Sequence, residues 1–127
     1  MVINTDLPDL DKATFDAFGE LMGSKLPRVL AGHITASETY LQSLRDAPIG
    51  DFNALIDAAH PFASSNAQIG LMKISDLAKE IEHLAGRQAV SWEQLMSRID
   101  ALCAAYQDAK QALKIYLNDT GREVPSI

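Results

Sequence analysis

The sequence predicts an all-α protein, an up-and-down antiparallel four-helix bundle with an additional short N-terminal helix. Apolar residues recur at spacings of three and four along most of the chain, which is the period of an amphipathic helix. The alternation that marks strands does not occur, and short runs of helix-breaking residues separate the apolar stretches. Because short connections make consecutive long helices antiparallel neighbours, a bundle is the most economical architecture.

The first two helices have boundaries that can be located from single residues. The first follows Asp9 or Asp11 and ends at Gly23, which can adopt a left-handed cap. The second begins near Pro27, which suits a first helical turn because its nitrogen needs no hydrogen bond there. Its apolar positions continue to the breaker at residues 47–50. The first helix is therefore short and the second is long.

The last three helices are delimited in the same way. Asp51 is placed to cap the third helix, whose apolar positions continue to Gly70. The fourth repeats the pattern until residues 85–87 end it. The fifth opens at Ser91, with a glutamine three residues later as in a capping box, and runs to about Asn118.

Length and composition indicate one globular domain. The 127 residues fit a single domain, 1–127, with an ordered core of about 9–119 and a tail, 120–127, that we expect to fray. The formal net charge of −6 argues against a nucleic-acid binder that neutralises phosphates and favours a protein partner. Cys103 is the single cysteine, which excludes an intrachain disulfide and a zinc framework and favours a reducing compartment. With no leader pattern or membrane span, we expect a soluble cytoplasmic protein.

His60 lies on the polar side of the third helix, about a third of a turn from the centre of its apolar arc. Ile56 and Asp57 precede it by one turn, and its neighbours in the following turns are all small: Ala63, Ser64 and Ala67. Small neighbours leave an imidazole accessible for reaction with another macromolecule. A surface histidine with small neighbours by chance is an equally good interpretation of the spacing alone.

The segment from His60 to Gly70 resembles the signature of histidine phosphotransfer (HPt) domains. That signature has a histidine, an apolar residue two later, a lysine three later, then small residues, an apolar residue nine later and a glycine ten later. The sequence matches it at His60, Phe62, Ser64, Ser65, Ile69 and Gly70. The resemblance extends over residues 10–113, with the helix lengths and order of the family.

The resemblance implies an intermediate of a two-component phosphorelay without autonomous catalysis. Such a protein accepts a phosphoryl group on His60 from the aspartyl phosphate of a receiver domain and passes it to another receiver. The Mg²⁺ of the reaction then belongs to the receiver, and this chain binds no cofactor. The implied partners of the monomer are response-regulator receivers, with a hybrid histidine kinase as a further candidate. A silent adaptor or decoy, which binds receivers or kinases without phosphotransfer, remains the alternative.

The resemblance also assigns roles to particular residues. Attack comes from Nε2 of His60, and Glu82 on the fourth helix is the expected partner of the other ring nitrogen, although an exposed glutamate there is an equally good interpretation. Ser64 and Lys79 are supporting candidates, and the safer interpretation of Lys79 is an ordinary surface lysine. The expected receiver-docking face comprises Ile56, Asp57, Ala63, Ser64, Ala67 and Gln68.

Two residues depart from the signature. Ala63 stands where the family usually has lysine, which removes a cation that could steady the phosphoryl group. Pro61 deletes one helical hydrogen bond and frees the carbonyl of Asp57, a change that costs ~3 kcal/mol in an ideal helix. We therefore expect a kink beside His60.

The remaining polar residues look structural. Glu80 and His83 have the spacing of a di-iron motif, but a second copy is missing, so we expect no metal site. His33 follows the apolar register of the second helix and is expected to pack rather than to bind a ligand. Trp92, at the start of the last helix, is expected to close one end of the bundle.

Overall fold

The computed structural model describes residues 10–88 and 90–119, and within them it confirms the predicted bundle and its extra helix. The α-helices are α1 (Lys12–Met22), α2 (Leu26–Asp46), α3 (Phe52–Gln68), α4 (Met72–Arg87) and α5 (Trp92–Asp119), with a 3₁₀ turn between α1 and α2. Helix α2 packs on α3, α3 on α4, α4 on α5, and α5 back on α2. The predicted tail, 120–127, and the candidate start at Asp9 lie outside the described residues.

Side-chain caps fix several helix ends as the sequence indicated. Asp51 Oδ1 accepts a hydrogen bond from the Ala54 nitrogen at 3.1 Å, which caps α3. At the start of α5, the Ser91 nitrogen donates to Gln94 Oε1 at 3.0 Å and the Gln94 nitrogen donates to Ser91 Oγ at 3.1 Å. This reciprocal pair is the predicted capping box, and it satisfies two backbone donors that a helix start leaves free.

The core is continuous through the bundle and draws apolar side chains from all five helices. Phe62 of α3 and Tyr106 of α5 meet edge to face, with ring centroids 5.6 Å apart. Phe52 and Trp92 form a similar pair, also at 5.6 Å, where α3 and α5 begin, so Trp92 closes that end. Cys103 is buried and free, as expected of a small core residue.

The turn between α3 and α4 is held by the segment that leads into α1. Gly70 has a φ of +93°, and a Cβ at this position would lie 2.7 Å from the carbonyl oxygen of Asp11. The Asp11 nitrogen donates to the Gly70 oxygen at 2.8 Å, and Leu10 forms an isolated antiparallel bridge with Leu71. A glycine is therefore needed both for the backbone conformation and for the close approach.

Helix α3 is α-helical throughout, with Pro61 inside it. The predicted kink at this residue stays a prediction. Within the residues described, no helix combines the length and apolar character needed to cross a membrane.

Candidate functional site

His60 projects from α3 into solvent and contacts a carboxylate of α4. Its Nδ1 lies 2.8 Å from Oε2 of Glu82. The side chain of His60 is 69% exposed and that of Glu82 is 28% exposed. Because an ionised carboxylate only accepts hydrogen bonds, Nδ1 donates and carries the proton. In the neutral imidazole the free lone pair is then on Nε2, the nitrogen not bound to Glu82.

Small residues bring α3 and α4 close enough for this pair to form. The buried Ser75 hydroxyl of α4 donates to the carbonyl oxygen of Ala63 at 2.8 Å. Nearer the start of α3, a Cβ added at Gly86 would lie 3.9 Å from Cδ1 of Ile56. Ser75 and Glu82 are seven residues apart, about two helical turns, so both face α3. This antiparallel pairing places the Glu82 carboxylate beside the imidazole.

Ala63 was predicted to lie on the receiver-docking face, and this placement was wrong. Its side chain is only 2% exposed and belongs to the hydrophobic core. The reason is that α3 packs against both α2 and α4, so its buried arc is wider than the apolar spacing of one helix indicates. Ala63 contributes a small volume to the α3–α4 contact and offers no surface to a partner.

The other predicted docking residues are exposed or lie at the edge of the core. Four exposed residues form one side of α3, which we call the His60 face: Asp57, His60, Ser64 and Gln68. Ile56 and Ala67 are half-buried beside this face. The structure therefore brings five of the six predicted docking residues to the surface around the imidazole.

The charge around His60 is mainly negative. Asp57 is exposed one turn before the histidine on α3, and Glu82 is in contact with it. Helix α3 contains no lysine or arginine from its first residue to its last. Lys79, the predicted supporting cation, is exposed on α4 and takes part in none of the ion pairs between described residues.

A layer of polar side chains crosses the core on the opposite side of α3. The Asn66 side-chain nitrogen donates to the Phe62 carbonyl at 2.9 Å and lies 3.5 Å from the Ser37 hydroxyl of α2. Tyr106 of α5 is buried near Ser37, and this burial raises its pKa to about 12. The layer ties α2 to the stretch of α3 that follows His60.

His33 packs inside the bundle, as its register indicated. Both ring nitrogens are buried, and neither has a partner of hydrogen-bonding geometry among the residues that the structure describes. Burial lowers the pKa of the His33 imidazole, and the nearby backbone of Ser65 opposes part of that shift. The neutral ring is the form that this environment favours.

The residues of the candidate di-iron motif are engaged elsewhere. Glu80 forms an ion pair with Arg98 of α5, and His83 Nε2 lies 3.4 Å from a guanidinium nitrogen of Arg87. Across residues 10–88 and 90–119, no three side chains of His, Cys, Asp or Glu come together as a metal site would require.

Sequence reasoning missed Ser75, which anchors α4 on α3. The available signal was its position seven residues before Glu82, which places both on one side of α4. A serine at such a position is not unusual by itself, and only its bond to the Ala63 carbonyl reveals its role.

Comparisons with known proteins agree with this geometry. The chain matches the model of the Hpt domain family over residues 28–112, which is more than half of its length. No curated protein matches it significantly. Among solved structures, the chain is similar to the crystal structure of histidine-containing phosphotransfer protein B from Pseudomonas aeruginosa PAO1. The TM-score is 0.64 at 26% sequence identity, and the match covers 84% of this chain and 97% of that chain.

Proposed function

The chain belongs to the Hpt domain family, and from this premise we propose that it relays phosphoryl groups between receiver domains, with His60 as the acceptor. The contact that carries the proposal is the one between His60 Nδ1 and Glu82, because it leaves Nε2 exposed with a free lone pair. We further propose that the chain has no autonomous catalysis and works in the cytoplasm as a monomer. Its partners are response-regulator receivers and, in addition, a hybrid histidine kinase.

The transfer step needs little chemistry from this chain. The lone pair of His60 Nε2 attacks the phosphorus of an aspartyl phosphate, and a P–N bond forms as the P–O bond to the receiver aspartate breaks. The aspartate leaves as a carboxylate that keeps the electron pair. Transfer to a second receiver reverses these bond changes. Mg²⁺ remains with the receiver, and this chain contributes an oriented nucleophile.

Glu82 acts through its hydrogen bond to Nδ1. When Nε2 is phosphorylated, Nδ1 keeps its proton and the ring becomes cationic. A carboxylate 2.8 Å from that N–H stabilises the cation and holds the ring in one orientation. Glu82 is thus a positioning and charge-stabilising residue that does not touch the phosphoryl group.

The docking surface that we propose is the His60 face together with the half-buried side chains next to it. Asp57, Ser64 and Gln68 offer polar contacts around the acceptor, while Ile56 and Ala67 offer apolar area. An exposed imidazole on a helix suits this role, because Nε2 must come within reacting distance of a phosphoryl group that another protein carries.

The test uses a panel of receiver domains phosphorylated with acetyl phosphate. The wild-type chain should gain acid-labile phosphate, His60→Gln should gain none, and the exposed control His83→Gln should behave as wild type. Label that persists in His60→Gln would rule out phosphotransfer through His60. If wild type and His60→Gln both stay unlabelled but still bind receivers, the adaptor or decoy alternative is favoured.

A further inference from the structure

The His60 face presents an electrostatic problem for phosphoryl transfer. The transferring group carries negative charge on its oxygens, and it must sit on an imidazole that has Glu82 on one side and Asp57 one turn away. Helix α3 has no lysine or arginine. A positive group beside Nε2 has to come from a neighbouring helix or from the receiver.

Helix α4 carries three lysine or arginine residues, and their positions differ. Lys73 is in the first turn, near the far end of α3, and Arg87 is in the last turn beside His83. Lys79 lies between them and is exposed. None of the ion pairs found in residues 10–88 and 90–119 includes Lys79, so its charge is not already neutralised by a neighbouring carboxylate.

The helix pairing places Lys79 next to the acceptor. It follows Ser75 by four residues and precedes Glu82 by three, and both of those side chains contact α3. Ile56 lies opposite Gly86, and His60 lies opposite Glu82. An advance of four residues along α3 therefore corresponds to four residues backwards along α4. The same count sets Lys79 opposite position 63 of α3, about 4.5 Å along the helix axis from Glu82.

We infer that Lys79 supplies, from α4, the cation that binds the phosphoryl group on His60 Nε2. This inference rests on the proposed phosphotransfer function. Position 63 opposite Lys79 is a buried alanine, so no long side chain of α3 blocks the path of the lysine towards the imidazole. Lys79 is exposed, and its flexible four-carbon stem is long enough to bring the ammonium group to the phosphoryl oxygens in solvent.

Removal of Lys79 should slow the transfer step without preventing it. The group is exposed and its charge is screened by solvent and salt, so we expect a loss of roughly tenfold in rate rather than the larger losses seen at enclosed sites. The difference in rate between the wild type and the variant should shrink as the salt concentration rises, because salt screens the attraction between the Lys79 ammonium group and the phosphoryl group.

The experiment measures single-turnover transfer from a saturating phosphorylated receiver, the one that labels wild type fastest. Lys79→Ala should be about tenfold slower, whereas Lys79→Arg should retain most of the rate. Lys73→Ala is the matched control, since it removes the same charge from the same helix and should stay within about twofold of wild type. Equal rates for Lys79→Ala and Lys73→Ala would overturn the inference.

A relocated charge provides a second test. Ser64 is exposed one turn after His60, so the double variant Lys79→Ala/Ser64→Lys should recover a large part of the lost rate. Position 63 is unsuitable for this purpose because it is buried. Absence of label on the wild type itself would refute the proposed function together with this inference. If Lys79→Ala is slow, and Lys79→Arg and the double variant are equally slow, this inference alone is refuted.

Discussion

Glu82 of α4 and His60 of α3 are joined by a 2.8 Å contact between Oε2 and Nδ1. The two residues are 22 positions apart in the chain, and they meet because the Gly70 turn folds α4 back along α3. One ring nitrogen is therefore held by the protein, and the other is left for a partner.

Replacement of Glu82 by Gln should slow phosphotransfer by roughly three- to tenfold. The amide oxygen can still accept from Nδ1–H, so the ring orientation is kept, but the negative charge that stabilises the cationic phosphoimidazole is lost. Glu82→Ala should be slower still, because orientation is lost as well. The measurement is the single-turnover rate from a phosphorylated receiver. Asp76→Asn, an exposed change on the same helix, should have little effect, and a wild-type rate for Glu82→Gln would contradict the role assigned to the carboxylate.

Replacement of Ser75 by Ala should lower the free energy of unfolding by about 1 kcal/mol. The buried hydroxyl donates to the Ala63 carbonyl, and alanine fits the same space without that bond. Urea unfolding provides the measurement. Ser97→Ala, at an exposed position of α5, is the control and should change the stability little. If Ser75→Ala is as stable as the wild type, the hydroxyl does not anchor α4.

Two glycine-to-alanine changes should shift stability in opposite directions. Gly70→Ala places a Cβ on a residue with positive φ and 2.7 Å from the Asp11 oxygen, so we expect the free energy of unfolding to fall by about 2 kcal/mol or more. Gly32 lies within α2, and no atom of the described residues is within 4 Å of a Cβ added there, so Gly32→Ala should raise the free energy of unfolding by about 0.5–1 kcal/mol. Thermal unfolding of both variants tests the pair. A stable Gly70→Ala would show that the contact between the first helix and the α3–α4 turn is not tight.

Burial of His33 should make the protein less stable in mild acid. The pKa of the imidazole is lowered in the folded state from its ordinary 6.5, so the unfolded chain binds the proton more readily. The contribution of the neutral His33 ring to the free energy of unfolding is fully present above about pH 6.5. It is lost as the pH falls from there through the lowered pKa of the folded state. His33→Leu should therefore show a flatter fall in unfolding free energy between pH 7 and pH 5 than the wild type.

The control for this pH dependence is Ser97→Ala, since it changes an exposed position and removes no titratable group. If the plots of unfolding free energy against pH are parallel for the wild type and His33→Leu, the pKa of His33 is the same in the folded and unfolded states.

Much of the fold could be predicted because its boundaries depend on local chemistry. Pro27 lies in the first turn of α2, Asp51 caps α3, and Ser91 with Gln94 forms the capping box of α5. Each of these signals involves residues within one helical turn, so no knowledge of tertiary packing is needed to interpret them.

The site was only partly predictable, because it depends on how two helices pack. His60 and Glu82 could be paired from the family resemblance, and their contact matches that expectation. Ala63 was misplaced because a single-helix pattern does not reveal that α3 packs against a helix on each side. The carbonyl that Ser75 binds is likewise a tertiary feature, which side-chain spacing along one helix cannot indicate.

The most direct test of the account locates the phosphorus on the imidazole. The chain is labelled with ¹⁵N-histidine, phosphorylated by a receiver and examined for ³¹P–¹⁵N coupling by NMR. We predict coupling to Nε2 of His60, with Nδ1 still protonated beside Glu82, and no phosphohistidine signal in His60→Gln. Phosphate on Nδ1 of His60, or on His33 or His83, would contradict the central claim.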